Sequence, residues 1–166
     1  MTNSTPSLPA LSPLPALSPL PALMPRRRLH RATFCAAAVY NVVWGLYSGL
    51  DPQWVFRFAG MTPMEHPVVF ATVGMVIGLY GVVYAEVARR PERGFMLALV
   101  GLLGKIFGPI GLAFMIATGQ WPPRTVLVIL TNDLIWWIPF GLYLLDSWPY
   151  YRADLFGGWP FVSDDE

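Results

Sequence analysis

Two ionisable residues, Lys105 and Asp133, stand inside long apolar runs of this chain. A charge at the centre of a hydrocarbon-length segment costs about 2.5–3.5 kcal/mol on insertion scales, so it needs a partner or a task. Opposite charges at one depth satisfy each other. Either can also serve as acid or base once desolvation and the partner shift its proton affinity. Lys105 and Asp133 are therefore the candidate catalytic pair. Asn41, Trp44, Asn132 and Trp136 offer hydrogen-bonding side chains, and Gly104 and Gly108 offer room; these six are the candidate ligand-binding residues. Glu65 and His66 adjoin at the start of the second apolar run and form a candidate acid–base pair at the entrance. Each has a plainer role as well. A buried ion pair can lock two helices in register, Asn can bond across helices, Trp packs well among lipids, and Glu near a helix N-terminus is favoured by the dipole.

Four apolar stretches must position these side chains, at residues 32–50, 67–88, 95–118 and 125–145. Each has the length needed to cross about 30 Å of hydrocarbon at about 1.5 Å per residue. Helix is the only open-chain choice where lipid offers the backbone no hydrogen bonds. Lys105 falls ~16 Å past Gly94, Asp133 ~13.5 Å past Arg124 and Asn41 ~15 Å past Arg31 at the helical rise. The three depths coincide near mid-membrane, and a short third-to-fourth connection makes those helices antiparallel neighbours. The expected architecture is an all-α integral membrane four-helix bundle.

Composition supports that class. The chain of 166 residues is 55% hydrophobic and only 13% charged, about half the charge usual in soluble domains. A net charge of +1 and arginines confined to helix ends argue against nucleic acid as a partner. The single cysteine, Cys35, excludes a disulfide within the chain, and no Cys/His cluster suggests a metal site. No cofactor motif is present, nucleotide-binding loops included. Arg26, Arg27, Arg28, Arg31, Arg89, Arg90, Arg93 and Arg152 lie on one side of the four stretches, and only Arg57 and Arg124 on the other. The positive-inside rule then sets both termini in the cytoplasm of a bacterial cell, with the chain in the inner membrane.

Three regions follow. Residues 1–25 repeat LPALSP-like units, and proline at this density favours extended polyproline II over helix, so they read as a disordered tail. Residues 26–147 form the transmembrane domain. Residues 148–166, aromatic then acidic, read as a cytoplasmic tail along the inner surface. Within the domain, Gly101, Gly104, Gly108 and Gly111 make one stripe, and Gly74, Gly78, Gly81 and Ala85 make a matching row; such stripes let helices approach closely. Pro109 has no N–H, which deprives the Lys105 carbonyl of its helical partner and frees it for a ligand or water.

The runs GLLGKIFGPIG (Gly101–Gly111), TNDLIWWIPF (Thr131–Phe140) and YNVVWG (Tyr40–Gly45) resemble those of a family of small uncharacterised four-helix bacterial integral membrane proteins, DoxX-like in general character. The likeness spans roughly residues 32–145 and implies the four-span topology. Asn132, Trp136, Pro139 and Asp146 are also similar to the last helix of the emopamil-binding sterol isomerases. That likeness implies intramembrane isomerisation, although the Asn-to-Trp spacing differs by one and the carboxylates and histidine of that family have no counterpart here other than Glu65 and His66.

The resulting expectation is a protein that binds a lipid-soluble small molecule, such as a quinone, isoprenoid or lipid, at a mid-membrane polar site, as an accessory subunit. An intramembrane acid–base enzyme of isomerase or oxidoreductase type and a structural subunit of a membrane complex are the alternatives. Membrane lipid is the expected surroundings, and a homo-oligomer or larger complex the expected assembly.

Overall fold

The computed structural model of the chain describes residues 23–156. The Pro/Leu-rich segment therefore lies almost wholly outside the described residues, as does the acidic end. All regular structure within them is helical. The order is α1 (Arg27–Leu50), a short α2 (Trp54–Ala59), α3 (Pro67–Arg89), a tight turn at Pro91–Arg93, α4 (Phe95–Ala117), and a second turn at Pro123–Thr125. That turn runs into α5 (Val126–Ile129), a π-turn (Leu130–Leu134) and α6 (Ile135–Phe156). Four helical runs are long and apolar enough to cross a membrane: Arg27–Leu50, Pro67–Arg89, Phe95–Ala117 and Pro123–Leu155.

Proline punctuates these elements as its chemistry requires. Pro67 opens α3 at a position whose N–H has no helical acceptor. Pro91 stops α3 and starts the following turn. Two boundaries differ from those read in the sequence. The first helix begins at Arg27, not at 32, because arginines are good helix formers whose charge limits burial in lipid but not helicity. The fourth does not end at 145; α6 continues through Pro149 to Phe156. Its last turns have a packing partner, since Tyr151 stacks on Phe95 with ring centroids 4.5 Å apart and Trp148 lies 5.5 Å from the same ring.

α1 and α3 touch backbone to backbone. A Cβ on Gly45 would stand 2.5 Å from Gly78 Cα, and one on Gly74 would stand 2.7 Å from Ser48 Cβ. The row Gly74, Gly78 and Gly81 therefore packs on α1. The aromatic core gathers at the end that carries the Pro91 turn. Phe34, Tyr84, Phe140 and Tyr143 are buried there, with Phe34 and Phe140 centroids 4.4 Å apart, and the Tyr143 hydroxyl donates to Pro91 O at 2.7 Å. Much of the remaining apolar surface faces outward, including Val39, Leu46, Val82, Phe107, Ile138 and Leu145.

The α1–α3 connection is tied at two points. Gln53 donates to Met64 O at 2.8 Å and accepts from Met64 N–H at 3.0 Å. Arg57 hydrogen-bonds Asp51 and holds that exposed carboxyl below the usual carboxylate range.

Candidate functional site

Lys105 projects from α4 and is 5% exposed; Asp133, in the π-turn, is equally buried at 5%. The Lys105 ammonium donates to Asn132 O at 2.6 Å and lies 3.8 Å from Asp133 Oδ1. Its remaining surroundings are the rings of Tyr84 and Trp136, with centroids 6.0 and 5.8 Å away. A cation over aromatic faces retains part of the stabilisation lost with water. Asn132 Nδ2 donates to Asp133 Oδ1 at 3.0 Å. The carboxylate accepts from the amide next to it and faces the lysine across the helix pair.

The π-turn is the local feature that sequence periodicity cannot show. It widens the helix for one turn and presents the Asn132 carbonyl to Lys105. π-turns inside α-helices are rare and cluster at functional sites. The carbonyl freed by Pro109 has a different fate from the one expected. Trp137 Nε1 donates to Lys105 O at 2.9 Å, so that oxygen has regained a partner within the protein. Trp137 thus repairs the break that proline makes in α4 and ties α4 to α6.

One cavity of about 460 Å³ brings most of the candidates together. Asn41 and Trp44 reach it from α1, Lys105, Gly104 and Gly108 from α4, and Asn132 and Asp133 from the π-turn. Val55 of α2, Phe70 and Trp121 close the end away from the aromatic core. Phe56 braces this roof, with its ring centroid 5.5 Å from that of Phe70 and 5.7 Å from that of Trp121. The sequence marked none of these as site residues, since an apolar or aromatic wall residue looks like any other core residue.

Buried polar atoms need partners, and most have them. Asn41 is only 2% exposed. Its Oδ1 has no hydrogen-bond partner among the described residues, nor do Trp44 Nε1, Asn132 Oδ1 and Trp136 Nε1. The first three belong to residues that line the cavity. Trp136 does not line it; the ring lies behind the lysine, packed on Tyr40 and Phe140 at 5.9 and 6.1 Å. Glu65 and His66 do not line it either. Both are exposed, just past the loop that the Gln53–Met64 bonds fix.

A second polar cluster escaped the sequence reading. Asp146 on α6 accepts from Arg26 Nε at 2.8 Å and from Arg26 Nη2 at 2.6 Å, and pairs with His30 Nε2 at 2.7 Å. His30 is 1% exposed and packs edge-on against Tyr143 at 5.3 Å. Arg26 takes a left-handed backbone, φ 51°, to make this contact. Both Asp146 oxygens are bonded, so the cluster clamps the start of α1 to α6. Among the described residues no group of three or more His, Cys, Asp or Glu side chains is arranged to hold a metal ion. No family model, curated protein or solved structure matches the chain.

Proposed function

We propose that the chain crosses the bacterial inner membrane four times, both termini cytoplasmic, and binds a lipid-soluble small molecule in the cavity beside Lys105 and Asp133. A quinone, an isoprenoid or a lipid fits such a site: a mostly apolar body and one polar head. The carrying observation is the cavity itself, mostly apolar in its lining yet bounded by Asn41, Lys105, Asn132 and Asp133. Outward-facing apolar side chains along the four long helices support embedding in lipid. The excess of arginines at the end bearing the Arg89–Gly94 loop supports the orientation. The role is that of an accessory subunit presenting or storing its ligand within a larger membrane assembly.

Mass spectrometry of the protein purified in a native-like membrane mimic tests this reading. The expected result is one stoichiometric lipid-soluble compound, lost in Asp133→Asn. Bulk phospholipid alone, unchanged in that variant, refutes the ligand site. One observation favours an intramembrane acid–base enzyme as the second reading: Lys105 and Asp133 themselves line the cavity, within reach of whatever fills it. In that case Asp133→Asn retains the compound and abolishes its conversion.

A further inference from the structure

Resting on the cavity reading above, we infer that the cavity opens sideways into the bilayer between α3 and α4, and that its ligand is a long-chain molecule held head inward beside Asp133 with its tail among the lipid chains. The first ground is that the other walls are shut. At the end away from the aromatic core, Val55 and Phe56 of α2 are 3% and 5% exposed, and Thr125 is 1% exposed. Arg124 fastens this cap. Its Nε donates to Ala59 O, and its guanidinium fills the space that a Cβ on Gly60 would need. Gly60 leaves that space free and takes φ 63°, which only a residue without a side chain adopts at no cost.

The flanks are shut as well. α1 and α3 meet backbone to backbone at Gly45 and Gly78. Between α1 and the π-turn, the Tyr40 hydroxyl donates to Thr131 Oγ1 at 3.5 Å, and its ring lies 5.9 Å from that of Trp136. Between α4 and α5 the chain doubles back at once, with Trp121 N–H bonded to Met115 O at 3.2 Å. Deeper in, Lys105 and Trp137 bridge α4 to the π-turn and α6.

The second ground is that α3 and α4 part where the other pairs hold. At Gly101 the Tyr84 ring fills the space of a Cβ, with an atom 2.6 Å away, so the two helices are closed there. One and three turns on, Gly104 and Gly111 line the cavity, yet a Cβ on either would meet nothing within 4 Å. Both are exposed, as is Gly108 between them. The cavity wall is therefore open along this face, with exposed Phe107 at its rim. The nearest atom to a Cβ on Gly108 would be Asp133 Oδ2, at 3.5 Å, so the carboxylate stands just inside the opening. An amphiphile can place its polar end there and leave its chain in lipid. That arrangement spares the head from hydrocarbon and the tail from water. A water-borne molecule would have to pass the α2 cap.

The test uses three photoreactive probes of one head and rising tail length, butyl-, decyl- and octadecylbenzophenone. Each is dissolved at a series of mole fractions in liposomes holding the full chain, photolysed, and its attachment sites read by mass spectrometry. Outward-facing Met75 and Met96, 57% and 46% exposed, report contact with probe in the surrounding lipid. Saturable label on Val55, Ile77 or Ile129 reports occupancy of the cavity that these residues line. An octadecyl chain is too long to be enclosed with its rings in about 460 Å³, so only an open wall admits it. All three probes should label the cavity residues with similar half-saturation. Gly111→Trp should weaken that labelling by the octadecyl probe at least about tenfold, because the new ring overpacks the opening, and should spare the butyl probe. Cavity labelling by the butyl probe alone in the native chain overturns the sideways opening and leaves the cavity reading standing. Octadecyl labelling that Gly111→Trp leaves unchanged also overturns it. Label on Met75 and Met96 with none that saturates in the cavity, from any probe, sinks both. If Gly111→Trp fails to fold, the comparison of tail lengths in the native chain decides by itself.

Discussion

The two long hairpins of this protein use the same residue, glycine, to opposite ends. In α1–α3, glycine removes side chains so that two backbones meet: Gly45 against Gly78, Gly74 against Ser48, Gly81 against Ala38 and Val42. In the α4–α6 half, Gly104 and Gly111 face open space and Gly108 faces the Asp133 carboxylate at 3.5 Å from where its Cβ would stand. The first hairpin is sealed by contact. The second is braced apart by a lysine, a carboxylate, a π-turn and an indole bond to the carbonyl that Pro109 frees. A small-residue stripe therefore states only that side chains are missing; what stands opposite decides whether the result is a seam or a cavity.

The largest expected effect tests the seam. In Gly45→Leu the new side chain meets Gly78 backbone, which has no rotamer by which to yield. Overpacking of rigid cores costs about 1–3 kcal/mol and occasionally more, and this position belongs at the upper end. Thermal unfolding in nanodiscs should show a clear fall in melting temperature with little change in the compound that copurifies with the surviving folded protein. A variant that melts like the native protein would mean the hairpin opens readily and would erase the contrast.

The next test concerns the braced half. Lys105→Met with Asp133→Leu replaces the pair by apolar groups of similar volume. Desolvation cancels much of what a buried pair gains, so stability should stay within about 1 kcal/mol of native or rise. The copurifying ligand should disappear. Loss of folding would instead identify the pair as the lock that keeps α4 and α6 in register.

Much of this contrast was legible in the sequence, and the illegible part has physical reasons. The four helical runs followed from hydropathy and length, because a continuous apolar run of that length leaves few alternatives. Lys105, Asp133, Asn41 and Asn132 stood out because polar groups are conspicuous in apolar runs, and all four line one cavity. The glycine rows were visible, but spacing along one helix carries no information about its partner, and only the fold shows that the α3 row meets α1. The π-turn depends on one residue's insertion into the helical register and leaves no periodic trace. Nothing in the sequence sets Trp137 apart from a packing residue; only the fold brings its N–H to Lys105 O. His30 and Asp146 lie 116 positions apart at the margins of the apolar runs, where charge is ordinary, and only the fold brings them to 2.7 Å.

The smallest expected effect is the sharpest probe of the open face. Glycine inside a helix is less favourable than alanine by about 0.8–1.0 kcal/mol, because it loses more backbone freedom on folding. At Gly45 that gain is overwhelmed, since the new Cβ collides at 2.5 Å. At Gly111 nothing lies within 4 Å, so the gain should survive nearly whole. Gly111→Ala should therefore raise the melting temperature slightly and change the copurifying ligand little, as one methyl takes a small part of a cavity of about 460 Å³. A fall in melting temperature would carry a different message. It would require a surface pressed against α4 that the chain itself does not provide, and the glycine row would then be a seam with another subunit. Cross-linking from Gly111→Cys would show whether that subunit is a second copy. The two glycine rows would become two uses of one device, and the function would move from holding a ligand to holding a complex together.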